Sequence, residues 1–108
     1  MTNDQKQKVM QLLELCIDTP SEQAECMFSF QPQVENVWVR VAFGGFKGSF
    51  DETYDAYVNQ TNGEIRLDAI IEAVSSIPSR ATECIAAKEA ARREKLIKEY
   101  EEVFGKKN

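Results

Sequence analysis

The sequence predicts a single α+β domain spanning residues 1–108. A three- to four-stranded antiparallel β-meander packs against an N-terminal helix and two C-terminal helices, the last one long. Three observations support this fold class. Residues 37–43 alternate like a strand, apolar residues recur at helical spacing before residue 19 and after residue 67, and 43% of the 108 residues are apolar. A chain of this length and composition forms one core and has no room for a second domain.

Residues 37–43 predict the central strand, because side chains on a strand alternate between two faces. One face of this strand, the valine face, carries Val37, Val39, Val41 and Phe43. The other, the mixed face, carries Trp38, Arg40 and Ala42. The valine face requires a covering layer, which only the helices can supply. The opposite face is left open to two interpretations. It is either solvated, or covered by a helix that makes Trp38 ordinary core.

The N-terminal helix is predicted to run to about Asp18. Thr2 and Gln5 have the spacing of a capping box, in which each side chain bonds the other residue's backbone N–H. Three- and four-residue spacing produces an apolar stripe on this helix, formed by Val9, Leu12, Leu13 and Cys16.

Further strands are predicted on both sides of the central one. An apolar run at residues 27–30 precedes a turn across residues 31–36, and residues 53–59 alternate again. Asn62-Gly63 is a strong hairpin signal, which predicts a short antiparallel fourth strand over residues 64–67. A helix capped by Asp68 follows. Its apolar stripe is Leu67, Ile70, Ile71, Val74 and Ile77.

The last helix is predicted to run from about Arg80 to Phe104, after a break around Pro78 and before a stop at Gly105. Its apolar end has two expected uses. It packs on the N-terminal helix of the same chain, or it forms an arm for a dimer or another partner.

Composition and charge exclude several classes of protein. The net charge of -5 argues against non-specific binding to nucleic acid and against an anionic membrane surface. No apolar run approaches the ~18 residues of a membrane span, and the N-terminus lacks the apolar region of a signal peptide, so we expect a cytoplasmic protein. The acidic charge is concentrated in residues 51–79, with six acidic residues against Arg66 alone.

Catalysis, cofactors and metals are not expected. The chain has no histidine, which removes the commonest general base and zinc ligand. Its three widely spaced cysteines, Cys16, Cys26 and Cys84, do not form a disulfide framework or a metal knuckle, so reduced thiols are expected. The glycine-rich segment 44–49 has neither Walker nor dinucleotide spacing, and it does not lead into a helix.

Three segments are candidate partner-binding surfaces. The first is a loop with aromatic residues, formed by Phe46, Lys47 and Phe50. The second is an acidic rim, formed by Asp51, Glu52 and Asp55. The third is the end of the last helix, with Leu96, Tyr100 and Phe104. A fourth candidate is an aromatic patch on the sheet. It comprises Trp38, Arg40 and Tyr57, with Arg40 expected to pair with Asp55 across the sheet.

The sequence therefore favours a small non-enzymatic cytoplasmic protein that binds and occludes a macromolecular partner, as an inhibitor or adaptor. A narrower variant is partial nucleic-acid mimicry by the acidic segment. The alternative is a single-stranded nucleic-acid-binding module that uses the aromatic sheet patch. In size, acidity and lack of catalytic residues, the chain is similar to small accessory proteins of phages and mobile elements, although no motif carries this resemblance.

Overall fold

The computed structural model describes residues 1–104 and confirms the α+β fold class. The elements are α1 (Asn3–Asp18), β1 (Ala24–Gln31), β2 (Asn36–Phe43), β3 (Glu52–Tyr57), α2 (Gly63–Ser75) and α3 (Ile77–Phe104). The capping box of Thr2 and Gln5 is present at the start of α1, as predicted. The predicted helix stop at Gly105 lies outside the described residues.

The three strands form one antiparallel sheet in the order β1-β2-β3. Val39 of β2 lies opposite Phe28 of β1 and opposite Tyr54 of β3. Among the described residues, both β1 and β3 are therefore edge strands.

The core lies between the valine face of the sheet and the helices α1 and α2. Val37, Val39 and Val41 have no exposed surface, and Leu12 of α1 and Leu67 of α2 are equally buried. Trp38 is only partly buried and Arg40 is exposed. No helix therefore covers the mixed face of β2 at Trp38 and Arg40, which resolves the alternative that the sequence left open for Trp38, although Ala42 at the end of that face is fully buried.

The predicted fourth strand is wrong. Residues 64–67 belong to α2, which begins at Gly63, and Asp68 is an exposed residue within the helix and not its cap. The helical spacing of Leu67, Ile70 and Val74 extends back to the buried Gly63, so this segment packs as a helix. A Cβ at Gly63 would lie 2.2 Å from the Tyr57 carbonyl oxygen. This close approach, rather than a hairpin turn, is what requires glycine.

The break between the last two helices is confined to Ser76. Helix α3 begins at Ile77, earlier than predicted, and Pro78 is tolerated because it lies in the first turn. The helix has 28 residues, and the molecule measures 68 × 24 × 17 Å along its principal axes. Within residues 1–104, no helix is long and apolar enough to cross a membrane.

Candidate functional site

The structure brings two of the predicted surfaces together. The ring centroids of Phe46 and Phe50 lie 4.8 Å apart. The Cζ atom of Arg40 lies 4.6 Å from the ring centroid of Trp38 and 5.6 Å from that of Phe50. Arg40 is thus sandwiched between aromatic groups from the strand and the loop. We call Trp38, Arg40, Phe46 and Phe50 the aromatic face.

The loop between β2 and β3 reaches this face through a glycine turn. Gly44 and Gly45 have φ angles of 72° and 101°, in the left-handed region that favours glycine. The Phe46 backbone N–H then donates a hydrogen bond to the Glu25 carboxylate of β1, with a distance of 3.2 Å. The aromatic loop therefore folds over the same face as Trp38.

The expected ion pair between Arg40 and Asp55 does not form. The register places Thr53 opposite Arg40 and places Asp55 opposite Trp38, two residues along the strand. On the other side of Arg40 lies Met27 of β1, which is 46% exposed. The open face thus combines aromatic, thioether and cationic groups, a composition enriched in protein interfaces.

Tyr57 lies on the same face but at its far end, opposite Asn36. It lines a polar pocket of about 460 Å³ together with Arg66 and residues 59–63 at the start of α2. The predicted aromatic patch is therefore divided. Trp38 and Arg40 lie with the loop aromatics, and Tyr57 belongs to this separate pocket.

The predicted acidic rim is divided in the same way. Asp51 accepts hydrogen bonds from the Phe43 backbone N–H at 2.7 Å and from Lys88 Nζ at 2.9 Å. Glu52 accepts two hydrogen bonds from Arg80, at 2.8 and 3.1 Å. Both carboxylates hold α3 against the sheet, which leaves Asp55 as the one acidic residue of the three without an ion pair within residues 1–104.

The pair of Glu52 and Arg80 has clear electrostatic consequences. The hydrogen bonds from Arg80 hold the pKa of Glu52 below its usual range, and they raise the pKa of Arg80. Burial and the hydrogen bond to Glu52 raise the pKa of Tyr54 to about 12. This network joins the first turns of α3 to β3, so its role is to stabilise the fold.

Lys47 lies apart from the aromatic face. It lines a groove of about 320 Å³ between the loop and α3, and Lys88, Arg92, Glu22 and Glu89 are also part of the lining. Cations and carboxylates alternate there, so the groove has no dominant charge.

The end of α3 stands away from the rest of the protein. Every residue from 89 to 104 is exposed. Its apolar side chains are exposed by about half or more: Leu96 57%, Ile97 58%, Tyr100 64%, Val103 65% and Phe104 49%. We call residues 89–104 the arm. The arm does not pack on α1, so the first of the two predicted uses of this helix is wrong.

Sequence reasoning missed a contact between two thiols. The thiol of Cys16 in α1 lies beside that of Cys26 in β1, and their interaction lowers the pKa of Cys26, while the same interaction and burial raise the pKa of Cys16. Cys16 lay on the predicted core stripe, and the register of β1 with β2 places Cys26 opposite the buried Val41. The helical spacing of Cys16 and the strand register of Cys26 could have predicted this contact, because both patterns place the cysteine on the same core.

No group of three or more potential metal ligands lies together within residues 1–104. No protein-family model matches the chain, and neither a curated protein nor a solved structure matches it.

Proposed function

We propose that this protein is a small cytoplasmic interaction protein without enzymatic activity, which binds a protein partner through the arm and occludes or bridges that partner. The observation that carries the proposal is the exposed apolar face of the arm, which Leu96, Ile97, Tyr100 and Val103 dominate. An exposed apolar patch of this kind marks an interaction site more often than it marks an ordinary surface.

The arm has the pattern of a helix that docks into a groove. At about 100° per residue, Leu96, Ile97, Tyr100 and Val103 fall within an arc of about 120°. Their spacing is that of the anchor residues in helix-in-groove recognition. The Tyr100 and Phe104 rings lie 4.7 Å apart, which adds an aromatic pair to this face.

The apolar face of the arm is turned about the helix axis relative to the side that holds α3 to the body. Ile77, Ala81 and Ile85 face the body, and their mean direction differs from that of Leu96, Ile97, Tyr100 and Val103 by about 90°. Because every residue from 89 to 104 is exposed, this face is open to a partner outside its own chain.

Charge narrows the kind of partner. Glu94 and Glu101 flank one side of the apolar face, as positions next to the seam of a coiled coil would. A groove that is apolar at its base and basic along that rim fits the arm best. A second copy of the arm fits less well, because antiparallel pairing would place Glu94 and Glu101 against the same carboxylates of the copy.

Nucleic-acid mimicry gains no support from the acidic rim. Lys88 and Arg80 neutralise Asp51 and Glu52 within the fold, so these carboxylates do not present a run of negative charge. The proposal therefore rests on the arm and not on the acidic segment.

The test is affinity capture from a lysate of the source cells with the full chain as bait. The variant Leu96→Ser with Tyr100→Ser removes two anchors. The matched control, Lys95→Ser with Glu102→Ser, changes the opposite face of the same helix and leaves the net charge unchanged. We expect the control to retain a captured protein that the anchor variant loses. Identical capture by both variants would refute the role of the arm.

A second candidate function is binding of single-stranded nucleic acid on the aromatic face. The specific observation in its favour is that Trp38 and Arg40 lie on an open sheet face beside Phe50, where bases can stack. The single cation and the neighbouring Asp55 weigh against it. Trp38 is the only tryptophan, so its fluorescence reports binding directly. Unchanged fluorescence on titration with DNA or RNA oligonucleotides at low salt would eliminate this candidate.

A further inference from the structure

The outer edge of β1 presents unpaired backbone groups. The Gly44 N–H donates to the Gln23 carbonyl across the β1–β2 ladder, at 3.0 Å. Because backbone groups alternate in direction along a strand, the N–H groups of Cys26, Phe28 and Phe30 point away from β2. Within residues 1–104, these three N–H groups have no acceptor.

The β1 edge lacks the usual protection against pairing. Natural edge strands are blunted by lysine, proline, bulges or short length. Strand β1 has 8 residues, pairs with β2 without a bulge, contains neither lysine nor proline, and carries Glu25 as its single charge. The opposite edge, β3, has 6 residues with Asp55 in the middle of its outer side.

Side chains on the core face of β1 remain partly exposed. Cys26, Phe28 and Phe30 are of intermediate exposure, although the β2 valines opposite them have no exposed surface. The core is thus sealed at its centre and open along β1.

An apolar stripe on α1 overhangs this edge. Met10, Leu13 and Ile17 are 54%, 37% and 70% exposed and lie within about 60° of one another on the helix. They lie about 170° from Lys8, which forms ion pairs with Glu64 of α2. Because α2 covers the β3 side, the stripe faces the free edge. This position also explains why Leu13, predicted as core, is exposed in the single chain.

We infer that β1 and the stripe on α1 form the interface of a symmetric dimer, in which β1 pairs antiparallel with β1 of a second copy. A two-fold axis perpendicular to the sheet at Phe28 would join the two sheets into one of six strands. The three outward N–H groups of each copy then bond carbonyl oxygens of the other copy, which makes six new hydrogen bonds. This inference is independent of the proposed function of the arm.

The register centred on Phe28 is self-complementary. Phe28 faces its own copy as a cross-strand aromatic pair, and Cys26 lies opposite Phe30. Glu25 lies opposite Gln31, so no like charges face each other. In the helical layer, the two α1 helices run antiparallel, so that the exposed apolar stripes of the two copies meet. The lack of facing like charges along β1 and the isologous geometry favour a second copy over an unrelated strand.

The test is the molar mass of the full chain by light scattering and sedimentation, over about 1 to 200 μM. We expect the mass to rise from 12.3 kDa toward 24.6 kDa, twice the chain mass. Ile17→Lys should weaken dimerisation at least about ten-fold. Ile65→Lys is the matched control, because Ile65 is 71% exposed but lies on α2, and it should leave the dimer intact. Circular dichroism would confirm that both variants remain folded.

Amide exchange measured by NMR tests the register. We expect the amides of Cys26, Phe28 and Phe30 to become protected as protein concentration rises, and to lose that protection in Ile17→Lys. A mass of 12.3 kDa at every concentration would overturn the inference. So would a dimer that Leu96→Ser with Tyr100→Ser dissolves and Ile17→Lys does not, because such a dimer would form through the arm.

Discussion

The two halves of α3 differ in what surrounds them. Residues 77–88 are held by the body. Ile77 has no exposed surface, Arg80 bonds Glu52, and Lys88 bonds both Asp51 and the Phe43 carbonyl oxygen. Residues 89–104 are exposed throughout. A single continuous helix therefore serves two purposes, and its polar anchors end where its exposed apolar face begins.

This difference shows why a helix can carry more apolar surface than its fold requires. The stability of the body depends on buried area and satisfied hydrogen bonds, which the first half of α3 supplies. Leu96, Ile97 and Val103 in the arm are more than half exposed, so they contribute little buried area to the fold and fit the proposed binding role. Substitutions in the two halves should therefore differ in their effect on the free energy of unfolding.

The largest expected difference is between two isoleucines on the same helix. Ile77→Ala should lower the free energy of unfolding by about 3 kcal/mol, because it leaves a cavity at a fully buried position. Ile97→Ala in the arm should change it by less than about 0.5 kcal/mol. Urea unfolding followed by Trp38 fluorescence measures both. Equal losses would contradict the division of α3 into two halves.

A second large effect is expected at Gly63, where the chain passes from β3 into α2. Gly63→Ala introduces a Cβ that would lie 2.2 Å from the Tyr57 carbonyl oxygen, and backbone cannot yield as a side chain tip would. We expect a loss of about 2 kcal/mol by the same urea measurement. An unchanged free energy of unfolding would mean that the connection between β3 and α2 can shift to make room for the Cβ.

Arg80 and Arg92 allow a comparison of intermediate size. Arg80→Met removes two hydrogen bonds to Glu52, one to the Ala73 carbonyl oxygen and one to the Ser76 hydroxyl, and should cost about 1 kcal/mol after allowance for solvent screening. Arg92→Met, in the exposed arm, is the control and should be close to neutral.

The same network predicts a pH dependence. The pKa of Glu52 is lowered in the folded state, so its contribution is fully present above the unfolded value of 4.5 and is lost as pH falls through the lower folded value. Stability of the wild type should decline more steeply than that of Arg80→Met below pH 4.5. Parallel declines in the two proteins would show that Arg80 is not the cause.

The smallest effect is expected for an ion pair within the arm. Lys98 and Glu94 are 3.9 Å apart and both side chains are 74% exposed. Lys98→Gln should change the free energy of unfolding by no more than about 0.3 kcal/mol, and salt should abolish even that. A larger effect would mean that the arm is packed against something in the isolated protein.

The sequence was sufficient for the elements with a clean period. Alternation fixed β2 and the identity of its buried face, and the capping box fixed the start of α1. Asn62-Gly63 misled because the dipeptide fits a hairpin, whereas close approach to Tyr57 and the helical spacing of Leu67 decide the local structure. A local turn signal cannot register a contact between elements.

The candidate sites were predictable as residues but not as an arrangement. Phe46, Phe50, Trp38 and Arg40 were each singled out, yet their assembly depends on a glycine turn and on the bond between Phe46 and Glu25. The roles of Asp51 and Glu52 were not predictable, since their partners Lys88 and Arg80 lie far along the chain. The free edge of β1 became visible only with the strand order.

Amide hydrogen exchange along α3 in dilute protein would distinguish an exposed arm from one that is packed against the body. An exposed helix without tertiary contacts frays and exchanges quickly, whereas a helix anchored in a core is protected. We expect strong protection over residues 77–88 that falls sharply beyond Lys88, with rapid exchange through residue 104. Uniform protection along the whole of α3 would contradict it, because the arm would then be buried without any partner.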